Sequence, residues 1–346
     1  MHRQLRIGIN GFGRIGRRIC RLALENPGFT VVAINDLADP KQNQHLLQYD
    51  SVHGTFSSHV ELQDNVLKVR NTTIPLLQKK DPATLPWGEY DCDVVLECTG
   101  AFTSYDKASQ HKKGGAKRII VSAPVKDSAD VLPTFVVGVN HASYAGQDIV
   151  SNASCTTNCL APVVSVLHET FGIERGLMTT VHSYTNDQRV LDLTHSDYRR
   201  MRAAALNLIP TSTGAAKAVG LVIPALQGKL TGISVRVPTP NVSLVDFVAD
   251  LRTAASVDIV NAALEKAAGG PLRNILSYTR LPMVSSDFNG NLASSVVDAL
   301  ATQVVDDRMV KVLAWYDNET GFSARMLDLA SYITLGKLAL AAPTSP

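Results

Sequence analysis

Residues 9–18 read INGFGRIGRR, and the glycine spacing in this stretch decides how the first half of the chain folds. Gly11, Gly13 and Gly16 form a G-x-G-x-x-G pattern. An apolar run, LRIGI (5–9), precedes it. Over 14–25 the residues take helical spacing, with Ile15, Ile19, Leu22 and Ala23 on one face. In a strand–turn–helix of this kind the first glycine permits the tight turn. The second lets a pyrophosphate approach the backbone, and the third lets helix and strand pack closely. Unpaired N–H groups and the dipole at the helix N-terminus favour the anion. A second strand, TVVAIN (30–35), runs into Asp36, twenty positions after Gly16, where a carboxylate bonds the ribose hydroxyls of a dinucleotide. Gly11, Phe12, Gly13, Arg14, Ile15 and Gly16, with Asp36, are therefore read as a site for NAD. An acidic residue at 36 repels a 2′-phosphate, so NAD is preferred over NADP. The glycines alone would also suit a turn that binds nothing; the strand, the helix and Asp36 in register argue against that.

Working outward, the first half keeps alternating. PKQNQHLLQYD begins with a proline suited to a first helical turn. CDVVLEC (92–98), KRIIV (117–121) and TFVVG (134–138) are apolar and β-branched, as buried strands are. The pattern predicts an α/β domain with a Rossmann-type, doubly wound parallel sheet. VELQDNVLKVRNTTIPLL (60–77) reads as hairpin strands beside it. After about residue 152 the texture changes. A helix over 155–170 leads into GLMTTVHSY and a long polar stretch. Strand patterns follow at 230–238, 242–251, 294–300 and 309–317. This is an α+β domain with a mostly antiparallel sheet. The amphipathic stretch 319–340 predicts a long helix that docks back on the first domain. The expected division is 1–151, completed by 319–340, and 152–318.

Composition narrows the function. Of 346 residues, 45% are hydrophobic and 18% charged, which calls for large cores. A net charge of +2 is too near neutral to mark a nucleic-acid or membrane surface. Five cysteines, an odd number, argue against a disulfide framework and for a reducing compartment. The first strand pattern starts almost at once and leaves no room for a signal peptide. The expectation is a cytoplasmic protein.

One cysteine stands apart. In SNASCTTNCLAP (151–162), Ser154 or Cys155 lies at a helix N-terminus, where the dipole and free N–H groups favour a thiolate. Cys159, one turn on, reads as packing; a C-x-x-x-C pair without further ligands makes a poor zinc site, so no metal is expected. A thiolate nucleophile needs a base beside it. His182, at the end of a strand shortly after this helix, is one candidate among nine histidines, though a lone histidine is more often structural. Thr185, Asp187, Arg202, Thr213, Gly214 and Arg236 carry hydroxyls, backbone donors and guanidinium forks suited to oxyanions. The same residues also suit an ordinary polar surface.

INGFGRIGR, YDSVHG, SNASCTTNCLAP, VHSYTNDQ, IPTSTGAAKAV, RVPTPNVSLVD and WYDNE, in this order along nearly the whole chain, resemble phosphorylating glyceraldehyde-3-phosphate dehydrogenases. The spacing of 27 positions from Cys155 to His182 also matches that family. The resemblance implies a homotetramer acting on D-glyceraldehyde 3-phosphate and inorganic phosphate. Cys155 would be the nucleophile and His182 its base. Thr185, Asp187 and Arg236 would hold the substrate's phosphate, and Ser154, Thr156, Arg202, Thr213 and Gly214 the attacking phosphate. Lys80, Ser122 and Asn318 would join the glycine turn in holding the cofactor, with Asn318 on the nicotinamide carboxamide. Residues 184–207 would form a loop reaching a neighbouring subunit's cofactor.

Three departures stand out. WYDNETGFS puts Thr320 and Phe322 where the family usually has tryptophan and tyrosine, implying altered cofactor affinity with the chemistry kept. Thr194 replaces the proline of NAD-specific members, which is compatible with some NADP use. SAPVKDS (122–128) departs from the usual wording without a physical reading. Competing readings are an erythrose-4-phosphate dehydrogenase, which shares the turn and the Cys–His pair, and a catalytically silent relative. A thiol protease has no use for a dinucleotide turn, and a non-phosphorylating aldehyde dehydrogenase none for a second anion site.

Overall fold

The computed structural model describes residues 3–340, which divide into two compact units. The first comprises 3–135, 141–153 and 323–340. Its strands are β1 (Leu5–Asn10), β2 (Phe29–Asn35), β3 (Val60–Gln63), β4 (Val66–Val69), β5 (Thr72–Leu77), β6 (Val94–Glu97), β7 (Ile119–Val121) and β8 (Ile149–Ser151). Helices α1 (Arg14–Glu25), α2 (Pro40–Gln48) and α3 (Tyr105–Ala108) connect them. The sheet runs β3-β4-β5-β2-β1-β6-β7-β8. β5, β2, β1, β6, β7 and β8 pair in parallel, and β3 and β4 add the antiparallel hairpin read from 60–77. Ile7, Ile9, Val94, Val95, Ile119 and Ile120 lose all solvent contact, as expected for strands covered on both faces.

Chain order reverses about β1, with β2 on one side and β6 on the other, so the carboxyl ends of these strands form the crevice where such sheets bind ligands. A buried network ties those ends together. Asn10, Asn35 and Glu97 are the last residues of β1, β2 and β6. Asn10 Nδ2 donates to Glu97 Oε2 at 2.5 Å, and Asn35 Nδ2 to Asn10 Oδ1 at 2.7 Å. Trp87 Nε1–H, a donor only, bonds His111 Nδ1 at 3.0 Å. The imidazole proton therefore sits on Nε2 and reaches Glu97 Oε2 at 3.0 Å. Thr99 adds its N–H to Glu97 Oε1 at 2.8 Å, so this buried carboxylate is fully partnered, the condition under which it is tolerated.

The second unit contains 136–140 and 154–322. Its elements are α4 (Cys155–Phe171), β9 (Ile173–Ser183), β10 (Ile209–Ser212), α5 (Ala215–Val222), β11 (Leu230–Val237), β12 (Ser243–Leu251), α6 (Val257–Gly269), β13 (Leu276–Thr279), β14 (Ser295–Val305) and β15 (Met309–Tyr316). The sheet runs β10-β11-β9-β12-β15-β14-β13, antiparallel except at β11–β9 and β13–β14. Strict alternation along SLVDFVADL gives β12 one buried and one partly open face. α4 lies over the buried face, with Leu160, Val164 and Leu167 fully enclosed. Each such side chain is worth about 1.5–3 kcal/mol. The last helix, α7 (Thr320–Leu335), begins in the second unit, and from Ser323 onward it belongs to the first.

TFVVG, expected to be a strand, is not one. Thr134 makes a single bridge to Ser151, and residues 136–140 turn instead. Gly138 takes φ +88°, and Asn140 Oδ1 accepts the Val136 N–H that a ladder would have used. The expected helix over 319–340 is also too long: α7 ends at Leu335, and Gly336 at φ +71° stops it.

Candidate active site

Local sequence puts Cys155 where it is. β8 ends at Ser151, whose hydroxyl accepts the Ala153 N–H, and Ala153 adopts φ +58° to turn the chain. Ser154 then caps α4, its Oγ accepting the Thr157 N–H at 3.1 Å. Cys155 is thus the first helical residue. Its Sγ lies 3.5 Å from His182 Nε2. His182 is positioned from below by β9, and the parallel register of β9 and β11 sets Arg236 directly beside it.

The electrostatics differ from the expectation of a lowered thiol pKa. Burial pushes the Cys155 thiol up, and this outweighs the pull of Arg236 and of hydrogen bonds from Thr156 and the local N–H groups. Burial, then Arg236, pushes His182 down to about 3. Both shifts favour the neutral thiol and imidazole over the ion pair. Cys159, by contrast, is enclosed, donates toward Ser295 Oγ at 3.4 Å and is pushed up to about 12 by burial, as a packing cysteine would be.

Around this pair the sequence candidates fall into place unevenly. The Thr156 hydroxyl is shared with Tyr316 OH at 2.9 Å, which also meets Thr180 at 2.9 Å. Thr157 Oγ1 reaches Ala215 O at 3.5 Å, bringing the N-terminus of α5 close to that of α4. Gly214 caps α5 without a side-chain bond and has open space where a Cβ would stand, leaving the first-turn donors approachable. Thr213 Oγ1 accepts the Ala215 N–H at 3.2 Å. Thr185 is oriented by Gln188, whose Oε1 accepts the Thr185 N–H at 2.9 Å. Gln188 Nε2, Thr239 Oγ1 and Arg236 Nε are buried without partners, donors suited to an oxyanion.

Two candidates are corrected. Arg202 does not turn inward: its side chain is 60% exposed and bonded to Asp192. Arg200 takes the inward place, bonding Thr211 Oγ1 at 2.9 Å and Asp187, and it is near enough to Arg236 to perturb it. Asp187 cannot itself bind phosphate as a carboxylate; Arg200 and His195 hold it, and it holds Arg200. The run RRMR gave no means of telling its arginines apart, because turn geometry chooses which one faces in. We expect Arg200→Ala to weaken a phosphate interaction roughly 10- to 100-fold, the worth of a charge-assisted hydrogen bond, and Arg202→Ala to stay within about twofold. Steady-state KM values for substrate and phosphate check this; equal effects would refute the assignment.

In the first unit, the glycine turn fits a pyrophosphate. Gly11 holds φ +93°, and a Cβ on Gly16 would stand 2.1 Å from Gly11 O. Gly13 caps α1 with no side-chain bond, and a Cβ there would meet nothing, so the cradle is open. Asp36 Oδ2 accepts the Phe12 N–H at 2.7 Å and so fastens the turn to β2. Arg14 pairs with Asp50, and Ile15 lies in the first turn of α1. Ser122 follows β7 with its N–H on Glu97 O at 3.0 Å, and Lys80 is exposed after β5. In the second unit, Asn318 Oδ1 accepts from Ser183 and Ser243 hydroxyls, both at 2.9 Å. That leaves its NH2 as the end offered to a ligand carbonyl. Thr320 is fully buried and Phe322 nearly so.

Family models and named relatives match nearly the whole chain. Residues 5–105 match the model described as glyceraldehyde 3-phosphate dehydrogenase, NAD binding domain, and 154–318 the model for its C-terminal domain. A glyceraldehyde-3-phosphate dehydrogenase of Geobacillus stearothermophilus is 56% identical over 331 residues, 95% of this chain and 98% of the relative. Glyceraldehyde-3-phosphate dehydrogenase 1 of Bacillus cereus is 57% identical over the same shares of each chain. Glyceraldehyde-3-phosphate dehydrogenase 2 of Trichormus variabilis is 52% identical over 334 residues, 95% of this chain and 98% of the relative.

Proposed function

The chain belongs to the glyceraldehyde-3-phosphate dehydrogenase family of NAD-dependent oxidoreductases, and from that premise we propose that Cys155 and His182 oxidise D-glyceraldehyde 3-phosphate and that inorganic phosphate releases the product as an acyl phosphate. The observation that carries this is the 3.5 Å Cys155–His182 pair at the N-terminus of α4, flanked by two sets of anion donors. Bound NAD supplies the hydride acceptor. Gly11, Gly13, Gly16 and Asp36 would hold its adenosine and pyrophosphate, and the Asn318 amide its carboxamide.

Cys155 adds to the aldehyde carbon, forming a C–S bond and a hemithioacetal. N–H groups at the start of α4 stabilise the oxygen as charge develops. As hydride leaves the carbon, His182 Nε2 takes the hydroxyl proton, and a thioester on Cys155 remains. Thr185 and Arg236, with Arg200 held by Asp187, bind the substrate's own phosphate. Ser154, Thr156, Thr213 and Gly214, at the two facing helix starts, orient the inorganic phosphate that attacks the thioester carbon and expels the thiolate.

Asp36 opposes a 2′-phosphate, so NADP serves less well than NAD. The loop between β9 and β10 exposes Val190, Leu191, Leu193, Leu206 and Leu208, an apolar row that supports burial against further copies in a homotetramer. No helix among the described residues is long and apolar enough to cross a membrane, and the five free cysteines support a cytoplasmic place. The decisive experiment is phosphate-dependent NADH formation from glyceraldehyde 3-phosphate and from erythrose 4-phosphate. We expect clear preference for the former; preference for the latter, or no turnover of either, would overturn the reading.

A further inference from the structure

Four hydrogen-bond donors converge on the Glu97 carboxylate, and the direction of the bonds is fixed from outside. At one end, Lys79 N–H donates to Asn35 Oδ1 at 2.9 Å, and Asn35 Nδ2 donates back to Lys79 O at 2.9 Å. Backbone groups cannot exchange these roles, so the Asn35 amide is set, and its NH2 also bonds Asn10 Oδ1. Asn10 Nδ2 must then find an acceptor, and Glu97 Oε2 is that acceptor, at 2.5 Å. At the other end, Trp87 Nε1–H occupies His111 Nδ1, so His111 Nε2–H also points at Oε2. These two donor nitrogens stand 3.4 Å apart on the same oxygen. Glu97 Oε1 takes the Thr99 N–H at 2.8 Å and the Thr99 hydroxyl. A group that only accepts fits among such donors, and an ionised carboxylate is one.

The bonds to Thr99 bear on the glycine turn. Cys98 N–H donates to Asn10 O at 2.7 Å, and Gly11 N–H to Asn35 O at 2.8 Å. Thr99 lies so close behind Gly11 that a Cβ there would stand 2.7 Å from Thr99 N. The loops that follow β1, β5 and β6 are thus fastened to one buried charge. Glu97 is 1% exposed, whereas Thr99 is open to solvent.

We propose that Glu97 is a positioning residue for NAD: its carboxylate holds Thr99 against Gly11 and so keeps the phosphate-binding turn in shape before the dinucleotide arrives. This rests on the reading of the glycine turn given above and adds the group that pre-organises it. Glutamine has the same shape but must set an NH2 against donors. In Glu97→Gln that NH2 goes toward Thr99, whose hydroxyl can rotate to accept, because Asn10 and His111 cannot invert. The Thr99 N–H then loses its acceptor. In the free chain it turns to water, so folding loses little. Binding NAD has to bring Thr99 back against Gly11 with that N–H unpaired, and the cost falls on affinity.

The test is calorimetric titration of the full chain with NAD, together with steady-state kcat and KM. Glu97→Gln is expected to bind NAD roughly 5- to 50-fold more weakly, the range for one buried donor left unpaired. KM for NAD should rise in step, while kcat at saturating NAD stays within about twofold, since Cys155 and His182 are untouched. Thr99→Val loses only the hydroxyl and should bind about 2- to 5-fold more weakly. Both changes act through Oε1, so the double variant should lie within about twofold of Glu97→Gln. A carboxylate that only stabilised the fold would lower the melting temperature and leave affinity alone. Native affinity in Glu97→Gln therefore overturns the proposal, as does a fall in kcat as large as the loss of affinity, or additive losses in the double variant. If Glu97→Gln does not fold, Thr99→Val decides, and native NAD affinity there overturns the proposal. Gly13→Val in the same titration keeps the two readings apart. Weak binding there with native binding in Glu97→Gln removes the positioning role alone; native binding in Gly13→Val removes the turn as the cradle.

Discussion

Cys155→Ala is expected to abolish NADH formation from glyceraldehyde 3-phosphate, by roughly 10⁴-fold or more, while leaving the fold and NAD binding intact. The sulfur is the atom that becomes bonded to the substrate, so no residual route through a thioester exists without it. Alanine suits the first turn of α4, and the Ser154 cap does not depend on the cysteine side chain. Stability should therefore change by about 1 kcal/mol or less, the central value for a single substitution that leaves caps in place. His182→Asn should fall less far, about 10²–10⁴-fold, the range for losing a general base. Because the two groups act as a unit, the double variant should be hardly worse than Cys155→Ala. Rapid-mixing measurement of the NADH burst, with circular dichroism as a folding control, tests both. Turnover above about 1% in Cys155→Ala would remove the nucleophile from the scheme.

The second large effect separates binding from folding within the glycine turn. A Cβ on Gly13 meets no protein atom within 4 Å, whereas one on Gly16 stands 2.1 Å from Gly11 O and 3.3 Å from Ile9 Cγ2. Gly13→Val should leave the melting temperature nearly unchanged, yet fill the space a pyrophosphate needs. We expect NAD affinity to drop roughly 100-fold, about 2.8 kcal/mol. Gly16→Val should do both, adding about 1–3 kcal/mol of destabilisation as the turn and α1 are forced apart. Calorimetric titration with NAD and thermal unfolding of each variant distinguish the two. If Gly13→Val bound NAD as the native chain does, the cradle would lie elsewhere.

Legibility from sequence followed the physics of each element. The glycine turn was readable because steric demands at Gly11 and Gly16 exclude other residues, and Asp36 because a strand ends there. The helix after Ser154 was readable from its cap. Tertiary choices were not. TFVVG has strand composition, but Asn140 captured its N–H and Gly138 bent it. Arg200 and Arg202 are indistinguishable as letters; only the loop's closure, with Leu193 N–H on Met201 O, turns one inward. The Trp87–His111–Glu97 network gave no signal, since its members lie far apart in the chain and none is unusual alone. The thiol's environment was misjudged for a related reason: a helix N-terminus is visible in sequence, but the depth of burial that opposes it is not.

Because residues 323–340 belong to the first unit, that unit cannot be finished when its strands leave the ribosome. Met326, Leu327, Leu329 and Ala330, all without solvent contact in the native chain, are made after every strand of both sheets. At about 5–20 residues per second, the nascent sheet waits roughly 10–40 s after residue 153 for that helix. Assembly of the first unit is thereby coupled to synthesis of α7, which follows the strands of both sheets in the chain.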